Sequence, residues 1–299
     1  MKVYKTTDFT LPWYDFTTLN AIETCNRWGL VTYRRGKAMI EPARRMPLEA
    51  GLAMHEFFAA WNVYDKPALR DKHFGDKDKL ELLMALAGQA EPSQRRLTFA
   101  LEVLHATGFY DDPGDTRCTL ANIETACIYW SEMQTGQYEI IDVEVPFDIT
   151  IDIVQDYYSA SAFPIRYVGR IDAIAKNKKG ELYPLEYKSA SRIDQPYLSQ
   201  WLFSPQLTGY HLALRTLVED FGADYVSPYA TPPIASYAML EAIMRPIPKN
   251  PRTSILHDRS TYPRGEVQYE IFEAFVRRNV AVSDLWTAEA ATAPVNVSQ

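Results

Sequence analysis

The chain has little cysteine, no surplus of positive charge and no long hydrophobic run. Its three cysteines, Cys25, Cys118 and Cys127, are an odd number without regular spacing. That argues against a disulfide framework and suits a reducing, cytoplasmic setting. No apolar stretch approaches the roughly 20 residues that a membrane-spanning helix needs, so no membrane partner is expected. Met1-Lys2-Val3-Tyr4-Lys5 leads into Asp8 and Pro12 with no apolar segment, so no secretory leader is expected either. Lysine and arginine number 31 against 38 aspartates and glutamates, a net charge of −7. Phosphate contacts dominate nucleic-acid affinity, and this balance weighs against a protein that coats duplexes. A local basic groove is still compatible with it. Arg34-Arg35 with Lys37, Arg44-Arg45, Arg95-Arg96, and Lys176 with Lys178-Lys179 are candidates, each also readable as a solvated face. There are no internal repeats, and the small, polar tail over 287–299 is expected to be mobile.

What is present is an ordinary globular composition, 47% hydrophobic and 23% charged over 299 residues, enough for one large domain or two modest ones. The first sixteen residues read as aromatic and irregular. Thr17 to Trp28 reads as a helix ended by Gly29, and Gly29 to Arg35 as a short strand. Leu48 to Asn62 is a clearer helix, in which Gly51, Leu52, His55, Phe58, Ala59 and Asn62 recur at three- and four-residue steps. His55 therefore points inward, where an imidazole is commonly a satisfied core group. Asp78–Ala90, Pro92–Thr107 and Thr119–Gln134 continue the helical pattern, with Cys118 and Cys127 packing as small hydrophobes.

Glu139 to Ile151 alternates, with Ile141, Val143, Val145, Phe147, Ile149 and Ile151 on one side. Glu144 falls on the other side, either as a further carboxylate for a site or, as the alternation favours, facing solvent. Residues 152–166 read as a loop. Two strands then form a hairpin, Val168–Lys176 and Leu182–Lys188, around Asn177-Lys178-Lys179-Gly180. A three-residue loop with Gly180 left-handed pairs Asn177 with Glu181, and so sets Asp172 opposite Glu186. A two-residue loop would put them on opposite faces. In the favoured register two like charges face each other, which is destabilising. A divalent cation held by both carboxylates would resolve the conflict; a solvated surface hairpin with a Glu/Lys ladder is the alternative. Ser204-Pro205 then starts a helix ended by Gly222, with Gln206 and Tyr210 one turn apart. Ala235–Arg245 reads as a strand, Pro246–Pro263 as loop and Gly265–Trp286 as a last helix.

Gly169-Arg170-Ile171-Asp172, then Glu186-Tyr187-Lys188, then Gln206-Leu207-Thr208-Gly209-Tyr210 resemble, in order and spacing, the signature of the PD-(D/E)xK nuclease superfamily in its RecB-like exonuclease branch. Gly51-Leu52-Ala53-Met54-His55 matches the Gly-x-x-x-His of that branch. The resemblance spans about residues 17–250. It implies an α/β fold, a restriction-endonuclease-like core over 136–286 with a central mixed sheet flanked by helices. A mostly helical region over 1–135 would contribute His55.

The implied activity is metal-dependent hydrolysis of DNA phosphodiesters, exonucleolytic, in recombination, repair or processing. Asp172, Glu186 and Lys188 would be catalytic. His55, Asp172, Glu186 and the Tyr187 carbonyl would hold Mg2+ or Mn2+, with Arg170, Gln206 and Tyr210 binding substrate or supporting the site. DNA and a helicase or recombination protein are the implied partners. Some members of the branch bind an iron–sulfur cluster through one early and three late cysteines. Cys25 could be the early one, but no cysteine follows Cys127, so no cluster is expected. The rival is a catalytically silent nucleic-acid-binding or scaffold protein that keeps the fold.

Overall fold

The computed structural model describes residues 1–24, 46–109, 111, 118–134, 136–154, 162–225, 233–246 and 255–292. Cys25, the expected strand from Gly29 to Arg35, the basic pairs at 34–35 and 44–45 with Lys37, and residues 293–299 lie outside this set. In chain order the elements are β1 (Lys2–Lys5), β2 (Trp13–Tyr14), α1 (Phe16–Thr24), α2 (Met46–Val63), α3 (Pro67–Phe74), α4 (Lys77–Gly88), α5 (Arg95–His105) and α6 (Leu120–Glu132). There follow β3 (Glu139–Val154), β4 (Ala162–Lys176), β5 (Leu182–Ala190), α7 (Gln195–Ser199), α8 (Pro205–Tyr225), β6 (Tyr237–Met244), β7 (His257–Pro263) and α9 (Glu266–Thr292).

The protein is α/β, a mixed, largely antiparallel sheet with flanking helices. The sheet runs β1-β3-β4-β5-β6-β7, with β2 beside β4. β2–β4 and β5–β6 are parallel; the other pairs are antiparallel. A parallel neighbour needs a crossover, and α7 and α8 supply it between β5 and β6. Neighbouring β5 residues divide between two cores. Tyr183, Leu185 and Tyr187 pack with Phe57, Phe58 and Trp130 of α2 and α6. Leu182 packs with Leu214 and Val218 of α8, Phe272 and Val276 of α9, and Leu19 of α1.

Several local expectations change. The first sixteen residues carry β1 and β2, and Tyr14 is wholly buried. Residues 162–167 are strand, and His257–Pro263, read as loop, is the edge strand β7. Leu52 is 56% exposed and so leaves the inward stripe of α2. The start of α8 follows the expected chemistry, since Ser204 Oγ accepts from Leu207 N at 3.3 Å with Pro205 first in the helix. The helix then runs through Gly222 to Tyr225.

Gly209 sets how closely α8 lies on the sheet. A Cβ there would stand 2.6 Å from Tyr167 Oη and 2.7 Å from its Cε1. Tyr167 is fully buried between Phe147 and Phe272, so it cannot retreat. In an exposed helix, glycine to alanine would stabilise by roughly 1 kcal/mol. Here overpacking reverses the sign, and Gly209→Ala should lower the unfolding free energy by about 1–3 kcal/mol in chemical denaturation.

Candidate metal centre

The hairpin takes the three-residue loop. Asn177 N donates to Glu181 O and Gly180 N to Asn177 O, each at 3.0 Å, and Gly180 has φ +82°. β4 and β5 stay paired from Lys176↔Leu182 to Ala173↔Leu185. One step further the strands part, with Asp172 on one branch and Glu186 on the other. Asp172 Oδ2 takes the Tyr187 N–H at 2.9 Å. The site lies in this fork.

Alternation along β5 sends Glu186 and Lys188 one way and Tyr187 the other. Tyr187 is anchored on α2, where Asn62 Nδ2 donates to its hydroxyl at 2.9 Å and the Phe58 ring lies 4.9 Å away. That packing holds α2 against β5; a Cβ on Gly51 would stand 3.4 Å from Ser189 Oγ. One turn on, His55 Nδ1 comes to 3.5 Å from Asp172 Oδ2. The Gly51 to His55 spacing thus delivers the imidazole to the fork.

Glu186 is 1% exposed. Its Oε1 contacts Lys188 Nζ and accepts from Gln206 Nε2 at 2.9 Å. Gln206 Nε2 also reaches the Tyr210 hydroxyl at 3.0 Å, so the two α8 residues act as a brace that aims Glu186. Glu186 Oε2 accepts from no donor group, and the Glu186 and Asp172 carboxyls lie within hydrogen-bond reach of each other. Lys188 lies 5.7 Å from the centre of the Trp201 ring.

Glu144 corrects the expectation that it faces solvent. Val143↔Ala173 and Val145↔Ile171 put it opposite Asp172 on the outer side of β4. A register shift between Ile140 and Asp142 and a φ of +51° at Glu144 break the alternation. Val143 therefore packs in the α2 core and Val145 in the α8 core. Such irregularities re-aim side chains. One oxygen or nitrogen each of His55, Glu144 and Asp172 lie within 4.8 Å of one another. Arg170, expected to support the site, pairs through Nε with Glu144 Oε2 at 2.5 Å.

Electrostatics follow from burial. Desolvation pushes Glu186 and Glu144 up to about 8, with Asp172 adding repulsion to both. Asp172 is raised mainly by burial. Burial also pushes His55 down to about 4, leaving a neutral imidazole at neutral pH. For Lys188 burial opposes the charge, but Glu186 and Asp172 outweigh it and hold the ammonium above its ordinary value. Three carboxylates thus converge on two cations, Lys188 and Arg170. A buried charge is costly unless it is paired, and with only these two cations at hand the carboxyls of Glu144 and Glu186 are pushed toward their protonated form.

Glu241 on β6 shows the contrast. Its Oε1 accepts from Arg259 at 2.7 Å and from His257 and Gln134 at 2.8 Å, while Oε2 accepts from Tyr138 at 2.6 Å. Burial would raise its pKa, but these partners pull it down to about 2. That carboxylate is satisfied and structural. One member of each of two basic clusters is committed elsewhere: Arg96 to Trp61 and Asp65, Lys176 to Glu139.

No protein-family model matches the chain, and no curated protein does. A solved structure described as the crystal structure of SSO0001 is 12% identical over 64% of this chain and 69% of its own, with a TM-score of 0.31.

The donor set fits a hard divalent cation. It offers carboxylate oxygens, one of them buried and without a donor at Glu186, beside a neutral imidazole. Among the described residues no helix is long and apolar enough to cross a membrane.

Proposed function

We propose that this chain is a metal-dependent nuclease that hydrolyses DNA phosphodiester bonds, built on a restriction-endonuclease-like core of the RecB-like kind. The observation that carries the reading is the fully buried oxygen of Glu186 that accepts from no donor group, aimed by Gln206 and Tyr210 into a fork that also gathers His55, Asp172 and Lys188. A merely structural hairpin has no use for such an oxygen, because an unsatisfied buried polar group costs about 1–3 kcal/mol.

Asp172, Glu186, the Tyr187 carbonyl and His55 are the groups that would hold Mg2+ or Mn2+. When bound, such an ion lowers the pKa of water and stabilises charge on phosphate oxygens. The reaction adds a water oxygen to phosphorus as the bridging P–O bond breaks; the water gives up a proton and the departing oxygen gains one. Without the cation, Lys188 is held protonated by its carboxylate neighbours. Its role is to donate hydrogen bonds that orient the water and to offset charge in the pentavalent transition state. Gln206 and Tyr210 position Glu186, and Arg170 steadies Glu144. A helicase or recombination protein as partner belongs to the same proposal.

The test is purified protein with end-labelled single- and double-stranded DNA. Cleavage is expected with Mg2+ or Mn2+ and none with chelator. Undiminished cleavage in chelator, or intact DNA in both metals, overturns the reading; intact DNA that is nevertheless retained by the protein would identify a silent binding protein.

A further inference from the structure

We propose that the cavity beside the fork, walled by α3, α5 and β3, is a nucleoside subsite. It takes the base of one unpaired nucleotide next to the bond that is cut and turns that nucleotide's phosphate toward Arg170 and Lys79. The inference rests on the nuclease reading and adds where the base of its substrate is held.

Size and place support this. The cavity measures about 670 Å³, within the roughly 300–1,000 Å³ of small-ligand sites. That is room for one nucleotide and not for a paired duplex. Glu144 and Arg170 belong to its lining, and Glu144 shares a cluster no wider than 4.8 Å with His55 and Asp172. The cavity therefore borders the fork directly. Much of its remaining wall comes from α3 and the end of α5, which none of the motifs at 51–55 and 169–210 covers.

The lining is divided as a nucleotide is. Leu69, Phe74, Val103 and Pro146 give it apolar surface. The Phe74 ring is fixed by edge contacts, with His73 at 4.9 Å and Phe99 at 5.5 Å between ring centres. A ring already held loses little freedom when a base packs on it, and every base has a π-face to offer.

The charges suit the phosphate. Three carboxylates line the cavity, and each has a basic neighbour. Asp142 Oδ2 is 2.6 Å from Lys72 Nζ, Glu144 meets Arg170, and Glu56 Oε2 is 3.9 Å from His73 Nε2. Lys79 lines the cavity beyond these pairs and is exposed. With Lys72, Lys79 and Arg170 against three acids, the cavity has no excess negative charge to repel an anion. Lys79 and the Arg170 side chain, 59% exposed, are the cations placed to turn to a phosphate.

The test is calorimetric binding, to the full chain in chelator, of deoxynucleoside monophosphates and of deoxyribose phosphate, which lacks the base. Wild type should bind the nucleotides about tenfold more tightly than the baseless sugar phosphate. Ala106 lines the cavity from an exposed position, so Ala106→Trp fills the space from the surface and should bind both ligands alike. Lys79→Glu puts a carboxylate in the first turn of α4, where the helix favours it. It should weaken both ligands severalfold and keep the preference for the base, and it serves as the second variant if Ala106→Trp misfolds. In cleavage, wild type should cut a strand with an abasic end about tenfold more slowly than an intact strand, and Ala106→Trp should cut the two at one rate. Equal binding of nucleotide and sugar phosphate by wild type overturns the subsite. So does a base preference that survives Ala106→Trp, or an unchanged affinity in Lys79→Glu; in each case the nuclease reading stands if wild type still cuts DNA. Base-dependent binding that Ala106→Trp abolishes, with no DNA cut in either metal, keeps the cavity as a nucleotide site and removes the nuclease reading.

Discussion

Lys188→Ala should lose most DNA cleavage, on the order of 10²–10³-fold in single-turnover rate, while still binding Mn2+. The size is that expected for removing one fixed electrostatic donor from a water-excluded site. Lysine is no metal ligand here, so the two readouts separate. Lys188 touches Glu186, stands over Trp201 and is kept charged by the carboxylates around it. Without it, Glu186 and Asp172 lose their nearest counter-charge, so the metal-free variant should melt below wild type. Added Mn2+ should restore part of that loss. Retention of full cleavage by Lys188→Ala would remove lysine from the chemistry. Loss of cleavage together with loss of the Mn2+ response would mean that the lysine only holds the carboxylates in place.

The parts of this centre that were legible in the sequence are those set by local chemistry. Gly180 at a left-handed position fixed the loop, and the loop length fixed which residues oppose Asp172. Ser204-Pro205 fixed the start of α8 and therefore where Gln206 and Tyr210 fall. The three- and four-residue steps of α2 put His55 on the inward side.

Glu144 was illegible for the opposite reason. The alternation around it is regular on paper, and only the shift after Ile140 and the positive φ turn its side chain to Asp172. Nothing in Val143-Glu144-Val145 signals that break, since no glycine or asparagine marks the left-handed position. β2 is only two residues long, below what a periodicity can show, and β7 is an edge strand whose polar run His257-Asp258-Arg259-Ser260 lacks an apolar face. Arg259 on that strand pairs with Glu241 and His257 hydrogen-bonds to it, long-range contacts that spacing alone does not reveal.

Asp172→Asn should separate the cation's contribution from that of the fold. In chelator, Asp172 is flanked by Glu144 and Glu186 in a buried fork where burial disfavours its charge. Asparagine is nearly the same shape. Its oxygen can keep the Tyr187 N–H bond that Asp172 Oδ2 makes at 2.9 Å, and its NH2 can donate to a neighbouring carboxylate. The variant should therefore melt at or above wild type without metal. Mn2+ reverses the order, because a ligand bound only by the folded state stabilises it by about 2.7 kcal/mol at roughly 100 times its Kd. For a chain of this size that is a rise of several degrees. Asp172 is one of the groups that would hold the cation, so the variant should gain much less and should not cleave DNA. A hairpin with no metal role predicts that the two proteins respond to Mn2+ alike. Equal Mn2+ stabilisation, measured side by side, would exclude Asp172 as a ligand and leave the nuclease reading without its centre.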